Sequence, residues 1–433
     1  MQRACALALV PTLLSFARSG SAAENPTLDA LYAKEYATKL KPYTPKKFPD
    51  RGLKDDLGEK GRRARGYYLT AYWLAKFGAE RAAKAMKAAH MNAVVFDVKD
   101  DWGSVHWASE VPLAKRVQSK VFKDLGAVVK TFHEHGIYVI VRMVCFKDSR
   151  LPVKRPDLAV RTGKGGAQLY RSRGAGWVDV YSAELQDYLV ELSVELEGLG
   201  VDEIQYDYIR FPHDSEGGAG QWLHQDKRTR EQVVAGFLEK LDRALKIPIS
   251  VDIFGLTTWV DGDPRRIGQT VEVMARYVEA LSPMMYANGM HTYFPGGQAT
   301  EGVYELIHCG LWRARRRVPG VVLRPYLQAY PDGVRSFWGA TFIHKQLEAA
   351  RKAGIDGFLF WNSSMKNGVS YRALKQLGLA AIDELGARPE DHLKPENWPR
   401  GRWCKKADLV KALPQGGAGG SSGGGGPGKQ AGQ

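Results

Sequence analysis

Carboxylates and amides recur in this chain directly after short apolar runs, and histidines do not. In QYDYIRFP (205–212), Asp207 stands between two tyrosines at the end of such a run; in SVDIFG (250–255), Asp252 stands between Val251 and Ile253. In an extended strand, alternate side chains share a face, so Asp207 shares a side with Gln205 and both acids point away from their apolar neighbours. Two carboxyl groups facing one cleft can cleave a glycosidic bond. One protonates the leaving oxygen, the other supports the positively charged sugar, and a separation of about 5 to 5.5 Å permits a covalent intermediate. In that chemistry Asp207 is the expected nucleophile. Asp252 is the expected acid/base, a role that needs a pKa raised by partial burial. Asp97, Asp100 and Asp148 are alternatives for the second acid, and pairing of Asp207 with Arg142 or Arg210 is the structural alternative for the first.

The other polar and aromatic residues at the ends of apolar runs form the expected sugar-binding set: Tyr72, Trp73, Asp97, Lys99, Asp100, Arg142, Asp148, Arg210, Tyr286, Asn288, Gln328, Tyr330, Trp361 and Asn362. Asp101 and Lys147 stand beside them. This set argues against other chemistries. No GxSxG elbow accompanies His106, and no Cys or His spacing suits a zinc site, so neither acyl transfer nor metal-assisted hydrolysis is expected, and no cofactor.

Eight runs bring these residues to strand ends: 66–73, 92–100, 137–148, 202–212, 247–255, 278–286, 321–330 and 357–363. Helical spacing fills the gaps, as in Val121, Leu125, Val128, Val129 and Phe132, in Leu185, Leu189, Leu192 and Leu196, and in Val234, Phe237, Leu238, Leu241 and Leu245. Strand and helix alternating eight times specify a parallel sheet closed into a (β/α)8 barrel, whose C-terminal strand ends form the active face. An open doubly wound sheet is the alternative, but no GxGxxG follows the first run, and RTGKGGAQ (161–168) reads as a mobile loop.

Around the barrel the chain divides by composition. Residues 1–23 carry an arginine, an apolar stretch and small residues ending in Ser21, Ala22 and Ala23, the order of a secretory signal peptide. A basic lead-in (24–65), the barrel (66–379), a C-terminal extension (380–413) and a Gly/Ser-rich tail (414–433) that cannot bury enough surface to fold complete it. The expected location is therefore secreted or periplasmic, with no membrane span in the mature chain. The net charge is +15, of which two charges belong to leader arginines. For an exported protein that charge favours an anionic envelope polymer over nucleic acid as partner. Cys145, Cys309 and Cys404 remain after the leader, so at most one bridge forms and a core must hold the fold.

At FDVKDDWGSV, VRMVCFKD, SVDIFG and especially DEIQYDYIRFP, the chain resembles a family of bacterial glycoside-hydrolase (β/α)8 barrels long catalogued as a domain of unknown function and distantly similar to the alpha-amylase superfamily. The resemblance spans roughly residues 66–379. By analogy with alpha-amylases, it implies a nucleophile ending strand four, at Asp207, and an acid ending strand five, at Asp252, where this chain has Asp in place of Glu. The implied function is hydrolysis of a cell-envelope or extracellular polysaccharide. The rivals are a barrel that binds carbohydrate without turnover and an envelope protein whose function is its basic surface.

Overall fold

A computed structural model describes residues 43–385 apart from Leu53, 214–219, Pro264, 291–299 and 333–337. The expected signal peptide, the start of the lead-in, most of the C-terminal extension and the Gly/Ser tail lie outside the described residues. Eight parallel strands close on themselves: β1 (Arg65–Leu69), β2 (Ala93–Lys99), β3 (Tyr138–Val144), β4 (Glu203–Asp207), β5 (Ile249–Phe254), β6 (Ala280–Met285), β7 in two pieces (Val322–Leu323 and Tyr326–Gln328) and β8 (Phe358–Trp361). Each pairs with the next in sequence, and β8 pairs with β1. The fold is a (β/α)8 barrel.

The strands are nearly continuous apolar runs because both faces are buried. Their outward residues, among them Phe96, Val141, Tyr206, Val251 and Ile253, pack with the helices in one large core. The inward residues are unusually polar and stack in layers. At the base, Arg324 donates to Glu203, which also accepts from Ser250 and from Tyr138. In the middle, Tyr326 donates to Gln205 (2.6 Å), whose amide donates to Ser282 (3.0 Å). Glu203 and Arg324 are fully buried. Each supplies the charge that makes burial of the other tolerable.

Several boundaries differ from the sequence reading for identifiable reasons. The first run ends at Leu69 because Thr70 caps a helix, Ala71–Phe77, its hydroxyl accepting from the Trp73 N–H. Pro325 has no N–H to donate, and it falls between the two pieces of β7. Segment 161–168, expected to be a mobile loop, folds as a small hairpin in which Arg161–Thr162 pairs antiparallel with Gln168–Leu169. Among its described residues the lead-in contains one short helix, Gly58–Arg62, and is tied to the barrel's helices by Tyr43 and the Lys46 N–H, which both donate to Asp187. Helix 125–134 starts at an Asp124 cap rather than at Val121. The turns before β3 and β8 use Gly136 and Gly354 at φ 66° and 78°, as their left-handed caps require.

Cys145 is buried and free, and Cys309 is disulfide-bonded. Among the described residues no helix is long and apolar enough to cross a membrane.

Candidate active site

The C-terminal ends of β1 to β5 converge on one guanidinium. Arg142, on β3 and 1% exposed, donates to Asp97 of β2 (2.7 Å), to Asp101 just beyond β2 (2.9 Å) and twice to Asp207 of β4 (3.0 and 2.5 Å). Its Nε lies 3.9 Å from Oδ2 of Asp252 on β5. Tyr68 of β1 donates to the far oxygen of Asp97 (2.5 Å) and stacks on Trp361 of β8 at 3.9 Å between centroids. The guanidinium lies over both rings. A planar fork with five donors can bind several acids at once, as a lysine cannot.

Asp207 and Asp252 occupy corresponding places on adjacent strands, two residues beyond the paired Gln205 and Ser250. Their Oδ2 atoms lie 3.0 and 3.9 Å from one nitrogen and so within about 7 Å of each other, which excludes the widest separations of inverting enzymes. Their surroundings differ. Asp207 is held by Arg142 and accepts from the Tyr208 N–H (2.6 Å). Asp252 is 1% exposed, and its Oδ1 has no hydrogen-bond donor among the described residues. Burial first, and then the charge of Asp207, push its pKa well above the carboxylate range. Burial also pushes Asp97 up, to about 6, against the pull of Arg142 and the Tyr68 hydroxyl. For Asp101 burial acts in the same direction, but Arg142 and Lys147 together outweigh it and hold the carboxyl below its usual range.

Tyr208 has φ 51°, a left-handed backbone that a bulky residue seldom adopts. Strain held at a strand end beside a buried acid is characteristic of functional sites.

A cavity of about 520 Å³ opens above these groups. Of the residues expected from sequence, it is lined by Asp207, Asp252, Arg142, Arg210, Tyr286 and Trp361. Asp97 lies behind Arg142. The others serve the frame. Tyr72 and Trp73 sit on the helix after β1, Tyr72 exposed and edge-on to His106. A bulge in β2 pairs Lys99 with Met143, an outer-core residue, and so turns the lysine toward the strand–helix layer. There it meets Asp148 at 3.0 Å and the Val144 carbonyl at 2.9 Å. Asp148 also accepts from the N–H groups of Arg150 and Leu151, and Asp100 from those of Trp102 and Ser104. Gln328 accepts from the Asn288 N–H and donates to two loop carbonyls. Tyr330 donates to Asn288, and Asn362 donates to the Ala329 and Lys366 carbonyls.

Sequence reasoning did not assign Trp177, Arg173, Tyr208, Phe254 or Arg265 to the site, and all five line the cavity. Phe254 could have been found, since it ends β5 on the same face as Asp252. Trp177 and Arg173 come from the segment between β3 and helix 183–198, which carries no strand or helix period. Among the described residues no cluster of His, Cys, Asp and Glu is arranged to hold a metal ion.

Residues 66–367 match a family model described as "putative glycosyl hydrolase domain". No curated protein matches the sequence. Among solved structures, a hypothetical protein of Ruminiclostridium thermocellum ATCC 27405 is 31% identical, the match covering 43% of this chain and 96% of that one at a TM-score of 0.39. The glycoside hydrolase domain of PgaB (BpsB) from Bordetella bronchiseptica is 12% identical over 72% of this chain and 97% of its own, with a TM-score of 0.52. The maltogenic alpha-amylase AmyB of Thermotoga neapolitana is 15% identical over 70% and 67%, with a TM-score of 0.45.

Proposed function

The chain belongs to the glycosyl hydrolase family whose domain it carries at 66–367, and on that premise we propose that it hydrolyses a polysaccharide of a cell envelope or extracellular matrix through Asp207 and Asp252. The observation that carries this reading is the contrast between two neighbouring acids, one held against a guanidinium and the other pushed toward its protonated form by burial and by its neighbour. Titratable groups driven apart in this way can divide acid and nucleophile roles.

In the proposed sequence Asp252 gives its proton to the glycosidic oxygen as the carbon–oxygen bond breaks. Asp207 bonds to the anomeric carbon from the opposite side. Water then displaces Asp207 and returns a proton to Asp252, so configuration is retained. Arg142 sets the direction of the Asp207 carboxylate throughout, and Tyr286 and Trp361 offer ring faces to the sugar. The reading includes export, which the leader-like residues 1–23 support. The disulfide at Cys309 suits an oxidising compartment.

The test is reducing-sugar release from a panel of envelope and extracellular polysaccharides, comparing wild type with Asp207→Asn and Asp252→Asn at matched folding. Loss of release in both variants, with polymer binding retained, is expected. A wild-type protein that binds polymers of the panel and releases sugar from none of them refutes hydrolysis and favours a binding barrel.

A further inference from the structure

Directly after β2 the main chain makes a hairpin at the C-terminal end of the barrel. It turns at 100–104 and runs back antiparallel, Val105 bridging Lys99 and the His106 N–H donating to the Val98 carbonyl at 2.9 Å. The tip is fixed from both sides. The Asp100 carboxylate accepts from the N–H groups of Trp102 (3.0 Å) and Ser104 (2.9 Å), and the Trp102 carbonyl accepts from the Ser149 N–H (3.0 Å) in the segment after β3. On this fixed backbone the Trp102 side chain is 58% exposed.

Exposed apolar side chains scattered singly need no explanation. Here they gather at one end of the fold. Among the described residues, Trp102, Tyr72 and Val153 are the large hydrophobic side chains more than half exposed, and they stand in the segments that follow β2, β1 and β3. Tyr72 is edge-on to buried His106, whose Nε2 lies 3.3 Å from Asp100 in the same hairpin. Val153 is on the short helix Leu151–Lys154, just after Ser149. Hydrogen bonds already hold the Trp102 backbone, so little backbone freedom is lost when a ligand covers the ring.

The residue before Trp102 indicates what that ligand is. Asp101 lines the cavity, with its side chain 35% exposed. One of its oxygens accepts from Arg142 and the other from Lys147, and each oxygen retains a second lone pair. A carboxylate acceptor next to an indole face matches a pyranose, which carries hydroxyl donors on its rim and C–H groups on its face. A cavity of about 520 Å³ has the size of a small-molecule site. A polymer whose reacting bond lies at Asp207 therefore runs on over the rim, and Trp102 is the exposed ring that adjoins the cavity through Asp101.

We infer that Trp102 is a sugar-binding platform outside the cavity, so that the protein grips its substrate chain beyond the reacting unit and favours long chains over short ones. The inference rests on the hydrolase reading for the chemistry at Asp207 and Asp252, whereas the platform is read by binding alone.

The experiment uses the full chain labelled with fluorotryptophan, its Trp102 fluorine NMR resonance assigned by its absence from Trp102→Phe. The labelled protein is titrated with the disaccharide and the hexasaccharide of cellulose, chitin, deacetylated chitin and polygalacturonate. At least one hexasaccharide is expected to bind and move the Trp102 resonance, while the matching disaccharide leaves it in place. By calorimetry, Trp102→Ala should weaken that hexasaccharide about tenfold, the loss of one ring contact. Trp102→Phe should lose less, and Phe77→Ala, which removes an exposed ring at the far end of helix 71–77, should change nothing. A bound hexasaccharide that leaves the Trp102 resonance in place overturns the inference, as does equal weakening of both lengths by Trp102→Ala or a panel in which nothing binds. A resonance that moves with protein concentration and not with sugar overturns it too, and assigns the ring to a second copy of the chain. Length-dependent binding at Trp102 with no sugar released from any polymer removes the hydrolase reading alone. Release from a long polymer at a rate that Trp102→Ala leaves unchanged removes this inference alone.

Discussion

Replacing Asp252 with asparagine should stabilise the protein relative to the wild type increasingly as the pH rises, in the same variant that the proposed mechanism expects to lose activity. In the folded chain this carboxyl is 1% exposed and has no donor at Oδ1. The nearest cation to Oδ2, Arg142 Nε at 3.9 Å, belongs to a guanidinium that already serves three other acids. Burial and then Asp207 hold its pKa well above the value of about 3.9 expected in the unfolded chain. A group raised on folding contributes stability that is fully present below the unfolded pKa. That contribution is lost as pH climbs toward the folded value, because unfolding then releases a proton. Each pH unit inside that window costs the wild type about 1.4 kcal/mol, and asparagine, which does not titrate, escapes the slope. The buried amide brings its own penalty of about 1 to 3 kcal/mol, but that offset does not depend on pH. Asp97, also raised, titrates in both proteins and largely cancels in the difference. Urea unfolding followed by tryptophan fluorescence from pH 4 to 8 reads the comparison directly. The variant should gain on the wild type by about 1.4 kcal/mol per unit from the acid end of the range upward. Parallel stability curves across the whole range would refute the reasoning, since they require Asp252 to titrate alike in both states.

Two further substitutions test the frame. Arg142→Met leaves four acids to share a buried site without their common cation, and should cost about 3 to 5 kcal/mol at neutral pH by urea unfolding. The deficit should shrink as the pH falls and the acids protonate, so a pH-independent deficit would count against the hub. Gly103 has φ 90°, and a Cβ there would fall 2.0 Å from Asp148 Oδ1. Gly103→Ala should therefore push Asp148 off Lys99 and destabilise by about 2 kcal/mol or more, and thermal unfolding indistinguishable from wild type would contradict it.

The barrel was legible because parallel strands buried on both faces read as apolar runs, and the left-handed glycines at Gly136 and Gly354 punctuate them. The inward direction of Asp207 and Asp252 followed from alternation alone, with Val251 and Ile253 fixing which face met the helices. The roles of Asp100 and Asp148 were not legible. An aspartate at a strand end can equally serve substrate or accept from N–H groups a few residues on, and these two do the latter. Lys99 was misplaced by a bulge that no local signal announces, and Tyr72 and Trp73 by a helix cap at Thr70 that ends the strand early. Trp177 and Arg173 escaped notice because their segment takes its shape from bridges between residues distant in sequence. The bridge between Ala159 and Val178 and the pairing of Arg161 with Gln221 are examples.

The left-handed turn at Tyr208 also bears on redesign of this chain. A bulky residue there costs about 1 to 2 kcal/mol that glycine or asparagine would recover. A procedure that optimises sequence for backbone alone should therefore rewrite position 208 and lose the ring that carries Lys147 and Arg210. In a library of redesigned variants, the residue chosen at 208 would sort sequences kept for their fold from those kept for their work.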